Sequence, residues 1–300
     1  MDKVYLVGAG YWGSKVLEEL KGLGKEVSVI DARQGTTIEQ ATQPWPVILA
    51  TPADQHFEQA RYFLSRNRDV YVEKPMAQTQ DECEELKKLE GDNILMVGHI
   101  FIHHMHGQLI KKIITNGDIG KIISIKSERT NWGIYQTKIT PVSSLAVHDI
   151  SFFNYLGDGV VNVNHVESNN YTHNGVPDRV RFKGEINGIH VECDASWYSP
   201  IRRRLVTVIG TEGTLVWDTD KETLVKTNHM LVDGKLNKEV VSKTFEFEGP
   251  SPLSCELKHF FDCIAYREQG YPALQRPKTN VDSAIDVAKV VDLIESKLVY

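Results

Sequence analysis

Two short motifs carry the residues best suited to chemistry in this chain. Gly8-Ala9-Gly10-Tyr11-Trp12-Gly13 follows the apolar run 4–7, and Glu73-Lys74-Pro75 follows the apolar run 70–72. A glycine turn between a strand and a helix points backbone N–H groups at a pyrophosphate. A lysine at the end of a later strand supplies a cation at the same edge of a parallel sheet. We therefore predict that a redox cofactor and a catalytic lysine meet in one crevice.

The glycines of the first motif have separate steric tasks. Gly8 permits the tight turn, Gly10 lets the backbone approach the pyrophosphate, and Gly13 lets the following helix lie close to the strand. Tyr11 and Trp12 stand inside the same turn, so they are predicted cofactor contacts as well. The strand before, the helix after and an acid at the right distance make this pattern specific for a dinucleotide.

That acid is Asp31, which follows the predicted strand 26–30. An acidic residue about 20 residues after the glycines accepts hydrogen bonds from the adenosine ribose and repels a 2′-phosphate, which favours NAD. Arg33 keeps NADP open, because an arginine there can stack on adenine or bind a 2′-phosphate. Ala32, between them, is a predicted contact too.

Lys74 is the predicted catalytic cation. Oxidation of a secondary alcohol removes a hydride and a proton, and an ammonium at the strand end can stabilise the alkoxide character that develops on the substrate oxygen. The alternative is a lysine that caps the strand and pairs with a nearby carboxylate.

His148 is the predicted general base, since an unperturbed imidazole titrates near neutral pH. The alternative is a polar residue at a helix start, packed beside Phe152 and Phe153. Asp149 either orients a substrate or caps that helix. His99 ends a strand that faces the same crevice, where it either touches substrate or satisfies a backbone carbonyl.

Other chemistry-bearing residues are predicted to be structural. His99, His103, His104 and His106 suggest a metal, but no Cys, Asp or Glu accompanies them at zinc-ligand spacing, so we predict none. The aromatic residues Trp132, Tyr135 and Trp197 can stack on a sugar, although core packing is their commoner use. Arg202-Arg203-Arg204 is a charge run at a strand start, usable as a diphosphate clamp.

These residues require a particular arrangement of strands and helices. Strands and helices alternate in the first part, which predicts an α/β fold with a Rossmann-type doubly wound parallel sheet over residues 1–120. The stretch 32–46 is too short for a full helical crossover, and Thr79 opens a helix with a capping box. Alternating strands with an Asn187-Gly188 hairpin predict an α+β domain with an open, largely antiparallel sheet over residues 121–300, whose C-terminal helix packs back on the first domain.

Composition excludes several classes of protein. The 300 residues are 41% hydrophobic and 25% charged, with a net charge of −6, which argues against a disordered chain and a nucleic-acid binder. No apolar run approaches the ~20 residues of a membrane span. The start leaves no room for a signal peptide, and the four cysteines form no C-x-x-C pair, so we expect a cytoplasmic protein with reduced thiols.

Several segments together resemble the glucose-fructose oxidoreductase/inositol dehydrogenase family (Gfo/Idh/MocA). They occur in the family's order and cover most of the chain: 7–13, 50–52 with His56, 72–75, 97–99, 117–121, 147–150 and 208–214. The resemblance implies a nicotinamide domain followed by an open sheet whose face helps form the active site and the contacts of a homodimer or homotetramer. It also implies chemistry on a sugar, cyclitol or nucleotide-linked sugar.

The resemblance assigns further roles. It implies that Thr51 and Pro52 contact the cofactor, that His56 is a structural partner near the nicotinamide, and that Glu73 contacts the ribose or orders its loop. The family commonly has an aspartate four residues before the histidine, where this chain has Ser144. A serine cannot stabilise an imidazolium by charge, although it can still hold a substrate hydroxyl or a water.

The predicted function is an NAD(P)-dependent oxidoreductase that moves a hydride between nicotinamide and a sugar hydroxyl or ketone. One alternative is a ketosugar reductase, which runs the same chemistry in reverse. Another is a dinucleotide-binding sensor or partner subunit without turnover, which the serine at position 144 keeps open.

Overall fold

The computed structural model describes residues 2–133, 139–228, 231–232, 235–236, 241–271, 274 and 276–299. The chain forms two compact units: Met1–His103 with Pro250–Lys289, and His104–Gly249 with Val290–Tyr300. This is a geometric division, and the predicted functional boundary at residue 120 stays a prediction. No helix among the described residues is long and apolar enough to cross a membrane.

The first unit is built on a parallel sheet that, within the described residues, has five strands in the order β2-β1-β3-β4-β5. Chain order turns around at β1, as in a doubly wound fold, so the predicted Rossmann-type sheet is confirmed. The strands are β1 (Lys3–Val7), β2 (Glu26–Ile30), β3 (Val47–Leu49), β4 (Val70–Val72) and β5 (Leu95–Val97).

Each strand divides its apolar residues between the two faces of the sheet, because side chains alternate along a strand. Val4, Leu6 and Tyr71 face a cluster that contains Leu257 and Phe260. Tyr5, Val7 and Val72, which alternate with these residues along the strands, face a second cluster.

The first unit contains the helices α1 (Tyr11–Gly22), α2 (His56–Leu64), α3 (Gln80–Glu90), α4 (Ile100–His103) and α7 (Pro252–Glu268).

Two local predictions in this unit are confirmed. Between β2 and β3 the chain forms only short 3₁₀ turns, at Ala32–Gln34 and Ile38–Gln40, in place of a crossover helix. The Thr79 side chain accepts a hydrogen bond from the Glu82 backbone at the start of α3.

The second unit is built on a mixed, mostly antiparallel sheet with the order β15-β12-β11-β10-β6-β9-β8-β7, in which β6 and β9 are parallel. This bears out the predicted open sheet. Its strands are β6 (Ile122–Trp132), β7 (Asn162–Asn169), β8 (Arg179–Ile186), β9 (Ile189–Ser196), β10 (Tyr198–Gly210), β11 (Gly213–Asp218), β12 (Thr223–Asn228) and β15 (Val241–Glu246). A separate pair, β13 (Leu231–Val232) and β14 (Lys235–Leu236), is antiparallel.

Helices α5 (Met105–Thr115) and α6 (Val147–Gly157) belong to this unit, whereas residues 281–289 of α8 (Val281–Glu295) belong to the first unit. In α6, Phe153 packs against Phe182 of β8 with ring centroids 6.4 Å apart. The predicted hairpin is confirmed, since Asn187 and Gly188 both have positive φ between β8 and β9.

Three strand predictions were wrong or missing. β10 begins at Tyr198, so the arginine run predicted at a strand start lies inside the strand, where its charges are paired: Arg202 with Asp220 and Arg203 with Glu128. The edge region formed by β12 and β15 was not predicted, because these strands are largely polar and bury almost no side chains.

Candidate cofactor and catalytic site

The glycine turn has the shape that a pyrophosphate requires. Gly8 has φ of +88°, and a Cβ there would lie 2.9 Å from the Ala50 carbonyl oxygen. A Cβ at Gly13 would overlap the Gly8 carbonyl oxygen. No described atom lies within 4 Å of a Cβ placed at Gly10, so this residue borders open space at the start of α1. The turn therefore leaves room for an anion at a helix N-terminus.

A crevice of about 580 Å³ begins at this turn. Its wall contains these predicted cofactor contacts: Gly8, Gly10, Asp31, Ala32, Arg33, Thr51 and Pro52. Tyr11, Trp12, Gly13, His56, Glu73 and Lys74 are not among the described residues that line it. The wall also contains residues that sequence reasoning missed: Thr36, Thr37, Gln55 and Gln59. The signal for Thr36 and Thr37 was the short segment after Asp31, whose polar residues must lie beside the crevice when no helix intervenes. Gln55 and Gln59 follow the predicted contact Pro52, in the next turn and in α2.

Asp31 is a buried carboxylate with both oxygens engaged. The Ala9 backbone donates to Oδ2 at 2.8 Å, and the Arg33 backbone and Nε donate to Oδ1 at 2.9 and 3.0 Å. The Arg33 guanidinium and the Ala9 N–H hold the pKa of the Asp31 carboxyl well below its usual range. The carboxylate thus ties the glycine turn to the end of β2. The Arg33 side chain remains 66% exposed.

Side-chain hydrogen bonds hold Thr51 in the wall of the crevice. The Thr51 hydroxyl donates to Gln59 Oε1 at 2.7 Å. The His56 ring lies between two carbonyl oxygens, that of Pro75 at 2.7 Å and that of Thr51 at 2.8 Å. Burial lowers the pKa of His56, and the two carbonyls oppose that shift. His56 therefore joins the Thr51 turn to the turn after Lys74, as a structural partner would.

Lys74 follows β4 and precedes a cis peptide bond to Pro75. Its charge contributes to the pKa of the groups around it: it opposes the rise that burial causes in the pKa of Glu73, and it adds to the fall that burial causes in the pKa of His99. The pKa of His99 falls to about 3. His99 is therefore neutral at physiological pH and suited to hydrogen bonding rather than to positive charge.

His148 stands in the first turn of α6 and is half-buried. A π-helical turn, Val142–Ala146, leads directly into this helix. Such turns are frequent at functional sites. The Ser144 hydroxyl, within this turn, donates to the Thr140 carbonyl oxygen at 2.9 Å.

Asp149 is committed to a buried ion pair. Arg129 of β6 donates from Nε and Nη2 to its two oxygens, at 2.9 and 3.0 Å. Because both oxygens already have charged donors, Asp149 is better placed to anchor α6 to the sheet than to hold a substrate or cap the helix. No sequence pattern indicates this pair, whose members are 20 residues apart.

His104, His106 and Glu222 bring possible metal ligands within 4.8 Å of one another. However, His104 Nδ1 accepts the His106 backbone N–H at 3.1 Å, which places the imidazole proton on Nε2, 3.0 Å from Glu222 Oε2. A metal on Nε2 would require a proton on Nδ1, facing that N–H. The cluster is therefore explained by hydrogen bonds and a helix cap, and the absence of a metal stays a prediction.

The predicted stacking residues have different environments. Trp132 is 57% exposed and meets Tyr198 edge-on at 4.7 Å, whereas Trp197 is buried. Core packing therefore describes Trp197 but not Trp132, which remains available to a ligand. Tyr135 lies outside the described residues.

Two family models match the chain. One describes an oxidoreductase family with an NAD-binding Rossmann fold and matches residues 36–101; the other describes a Gfo/Idh/MocA C-terminal domain and matches residues 108–216. Together they cover more than half of the 300 residues.

Known proteins resemble the chain in sequence and in fold. A 2,7-anhydro-N-acetylneuraminate hydratase of Mediterraneibacter gnavus is 30% identical over an alignment of 156 residues, and the match covers 45% of this chain and 41% of that protein. The chain thus matches about two fifths of this curated relative. A UDP-N-acetylglucosamine 3-dehydrogenase from Acidithiobacillus ferrooxidans has a TM-score of 0.82 at 16% identity, over 99% of this chain and 97% of that one.

A third similar protein is an inositol dehydrogenase homologue from Azotobacter vinelandii, solved with NADH and myo-inositol. It has a TM-score of 0.80 at 14% identity, over 99% of this chain and 96% of that one. At these identities the two structures support the fold alone. The glycine turn, the two unit folds and the two family matches agree, and the chain belongs to the Gfo/Idh/MocA oxidoreductase family, with an NAD-binding Rossmann fold.

Proposed function

We propose that this protein is an NAD-dependent oxidoreductase acting on a secondary hydroxyl or ketone of a sugar or cyclitol. One observation carries the proposal: the glycine turn, the ionised Asp31 and Lys74 follow strands of one parallel sheet. The carboxyl ends of such strands are where a dinucleotide binds. The curated hydratase relative and the inositol dehydrogenase homologue support a polyhydroxylated substrate.

Bound NAD supplies the acceptor or donor of a hydride. Lys74 then hydrogen-bonds the substrate oxygen and stabilises its partial negative charge. His148 is the proposed proton acceptor. Neutral His99 orients a substrate hydroxyl, because burial keeps its pKa at about 3 and so prevents protonation.

A nucleotide-linked sugar is the finer form of the proposal, and a ketosugar reductase is its reverse. Support comes from the UDP-sugar dehydrogenase that shares the fold. Residues 202 and 203, candidates for a diphosphate clamp, are already paired with Asp220 and Glu128, which weakens that role for them. Assembly as a homodimer or homotetramer remains a prediction.

The test is calorimetric binding of NAD(H) and NADP(H), repeated with myo-inositol, a UDP-sugar or an N-acetylneuraminate derivative present, followed by turnover assays on the compound that strengthens cofactor binding. Cofactor binding with turnover supports the oxidoreductase. Cofactor binding without turnover on any compound favours the sensor alternative. If neither dinucleotide binds, the proposal fails.

The cofactor preference should depend on Asp31. We expect Asp31→Asn to keep an acceptor for the Ala9 N–H but to remove the charge that repels a 2′-phosphate, and to leave Arg33 without its ionic partner. The ratio of Kd for NADP to Kd for NAD should fall by about 10-fold or more, a change of about 1.4 kcal/mol. Both Kd values are measured by calorimetry on this variant and on the matched Arg33→Ala variant. An unchanged ratio in Asp31→Asn would contradict the assignment of Asp31.

The serine at position 144 offers a gain-of-function test. We expect Ser144→Asp to raise turnover by about 10-fold, because a carboxylate one turn before His148 would stabilise its protonated form. Ser143→Asp, one residue earlier, is the matched control and should leave turnover at the wild-type value. If turnover stays undetectable in Ser144→Asp while NAD still binds, the result supports the sensor alternative.

A further inference from the structure

A tyrosine hydroxyl lies between two buried carboxyl groups in the first unit. Tyr71 Oη is 3.2 Å from Glu73 Oε1 and 3.0 Å from Glu256 Oε2. Tyr71 and Glu256 are completely buried, and Glu73 is 7% exposed. Tyr71 is in β4 and Glu73 directly follows that strand, just before Lys74, whereas Glu256 belongs to α7. We call these three residues the carboxyl–tyrosine triad.

The backbone makes room for this triad. Tyr71 is the middle residue of β4, and the alternation along the strand turns it toward the face on which α7 packs. Gly98, at the end of the neighbouring strand, leaves the necessary space, because a Cβ there would lie 2.6 Å from the Tyr71 hydroxyl and 3.1 Å from Glu73 Oε2. The presence of glycine at position 98 therefore has a steric explanation.

The number of protons in the triad is limited by chemistry. A phenol has one proton and can donate it to one carboxylate only. The other contact is a hydrogen bond only if that carboxyl group is protonated and donates to the phenol oxygen. Two ionised carboxylates would leave one contact repulsive between buried groups, which is costly. One glutamate must therefore be the neutral acid.

The surroundings select Glu256 as the protonated member. Burial raises the pKa of Glu73 too, but the nearby Lys74 charge opposes that rise and favours the ionised form of Glu73. The charged groups facing Glu256 are Glu73 itself and, 3.9 Å from Oε1, His103 Nε2. Burial and the Glu73 charge raise the pKa of Glu256 well above its usual range.

His103 does not supply a compensating cation. Burial lowers the pKa of His103 well below its usual range, and the neighbouring His259 adds to this effect. Burial and the charge of Lys278 lower the pKa of His259 to about 4. Both imidazoles are therefore neutral near pH 7, and Glu256 faces no positive side chain among the groups named.

We propose that Glu256 is a neutral acid that donates to Tyr71, that Tyr71 donates to an ionised Glu73, and that this triad fixes a negative charge beside Lys74. Glu256 and Tyr71 are then positioning residues for the proposed reaction. They keep Glu73 ionised and so favour the protonated, hydrogen-bonding form of Lys74.

The protonation state can be tested without any activity. We expect the infrared spectrum of the purified protein at pH 7 to contain a carboxylic acid C=O band that shifts in D₂O, is lost in Glu256→Gln and is kept in Glu90→Gln, since burial raises the pKa of Glu90 to about 7 and gives it a separate contribution. Loss of the band in Glu73→Gln but not in Glu256→Gln would reverse the assignment, and absence of the band from the wild type would overturn the proposal.

The effect on catalysis rests on the proposed function and has its own readout. In Tyr71→Phe, Glu73 loses a donor to its ionised form, so its pKa should rise and the acidic limb of the kcat/KM profile should move up by about one pH unit. Glu256→Gln should leave the limb in place, since its amide N–H can donate to Tyr71 as the acid does.

A matched control separates this effect from simple destabilisation. Tyr5→Phe also removes a buried tyrosine hydroxyl of the same sheet, but that hydroxyl accepts from the Gln43 backbone on the opposite face. An equal shift of the limb in Tyr5→Phe, or no shift in Tyr71→Phe, would contradict the positioning role. If no turnover is found at all, the infrared band still decides the protonation state.

Discussion

Replacement of Lys74 by methionine is expected to lower kcat by about 10²- to 10³-fold, while Kd for NAD stays within about 3-fold of the wild-type value. The physical reason is that methionine keeps most of the side-chain volume but removes the charged donor that stabilises the developing alkoxide, a contribution of this general size in enzymes. Steady-state turnover and calorimetric NAD binding on the same preparations measure the two quantities.

Lys88→Met is the matched control for this change. Lys88 is exposed in the last turn of α3, so its loss removes the same charge from the same unit without touching the strand end. Turnover of Lys88→Met should equal that of the wild type. If Lys74→Met retains full turnover on a substrate of the wild type, the lysine is only a strand cap, and the base must then work without a cation.

Replacement of Gly10 by valine is expected to weaken NAD binding by at least about 100-fold, or about 2.7 kcal/mol. Gly10 has φ of −67°, which valine can adopt, and a Cβ there meets open space, so the fold should tolerate the change. The added methyl groups would stand where the pyrophosphate approaches the backbone. Calorimetry gives the affinity, and thermal unfolding shows whether Tm is kept.

Gly22→Val is the control, because a Cβ at Gly22 also meets open space but at the far end of α1. It should bind NAD like the wild type. Equal NAD affinity in Gly10→Val would mean that the dinucleotide does not use this turn, and the cofactor assignment would lose its main geometric support.

Local patterns explain what was predictable in this chain. The glycine turn, the acid after β2, the capping box and the hairpin each depend on residues close in sequence, whose sterics and hydrogen bonds are nearly independent of the rest. The resemblance to the family rests in addition on the order in which the motifs occur along the chain.

Long-range partners explain what was missed. Tyr71 meets Glu256 across 185 residues, and no periodicity indicates that an acid of α7 will be buried beside β4. Asp149 was predicted to orient a substrate or to cap its helix, because its partner Arg129 lies on another element, 20 residues away. The histidines near position 104 lacked an acid in sequence, and Glu222 reaches His104 only through the fold.

The discontinuous course of the first unit has a consequence for synthesis on the ribosome. One face of its sheet is covered by Leu253, Leu257, Phe260 and Ile264 of α7. Translation proceeds from the N-terminus, so β1 to β5 emerge about 150 residues before these partners do. During that interval α1 can cover part of this face with Val16 and Leu20, but the part that α7 covers stays exposed to water. The cofactor-binding unit is thus completed late in translation although its sequence comes first, and the apolar surface that awaits α7 is exposed on the newborn chain until then.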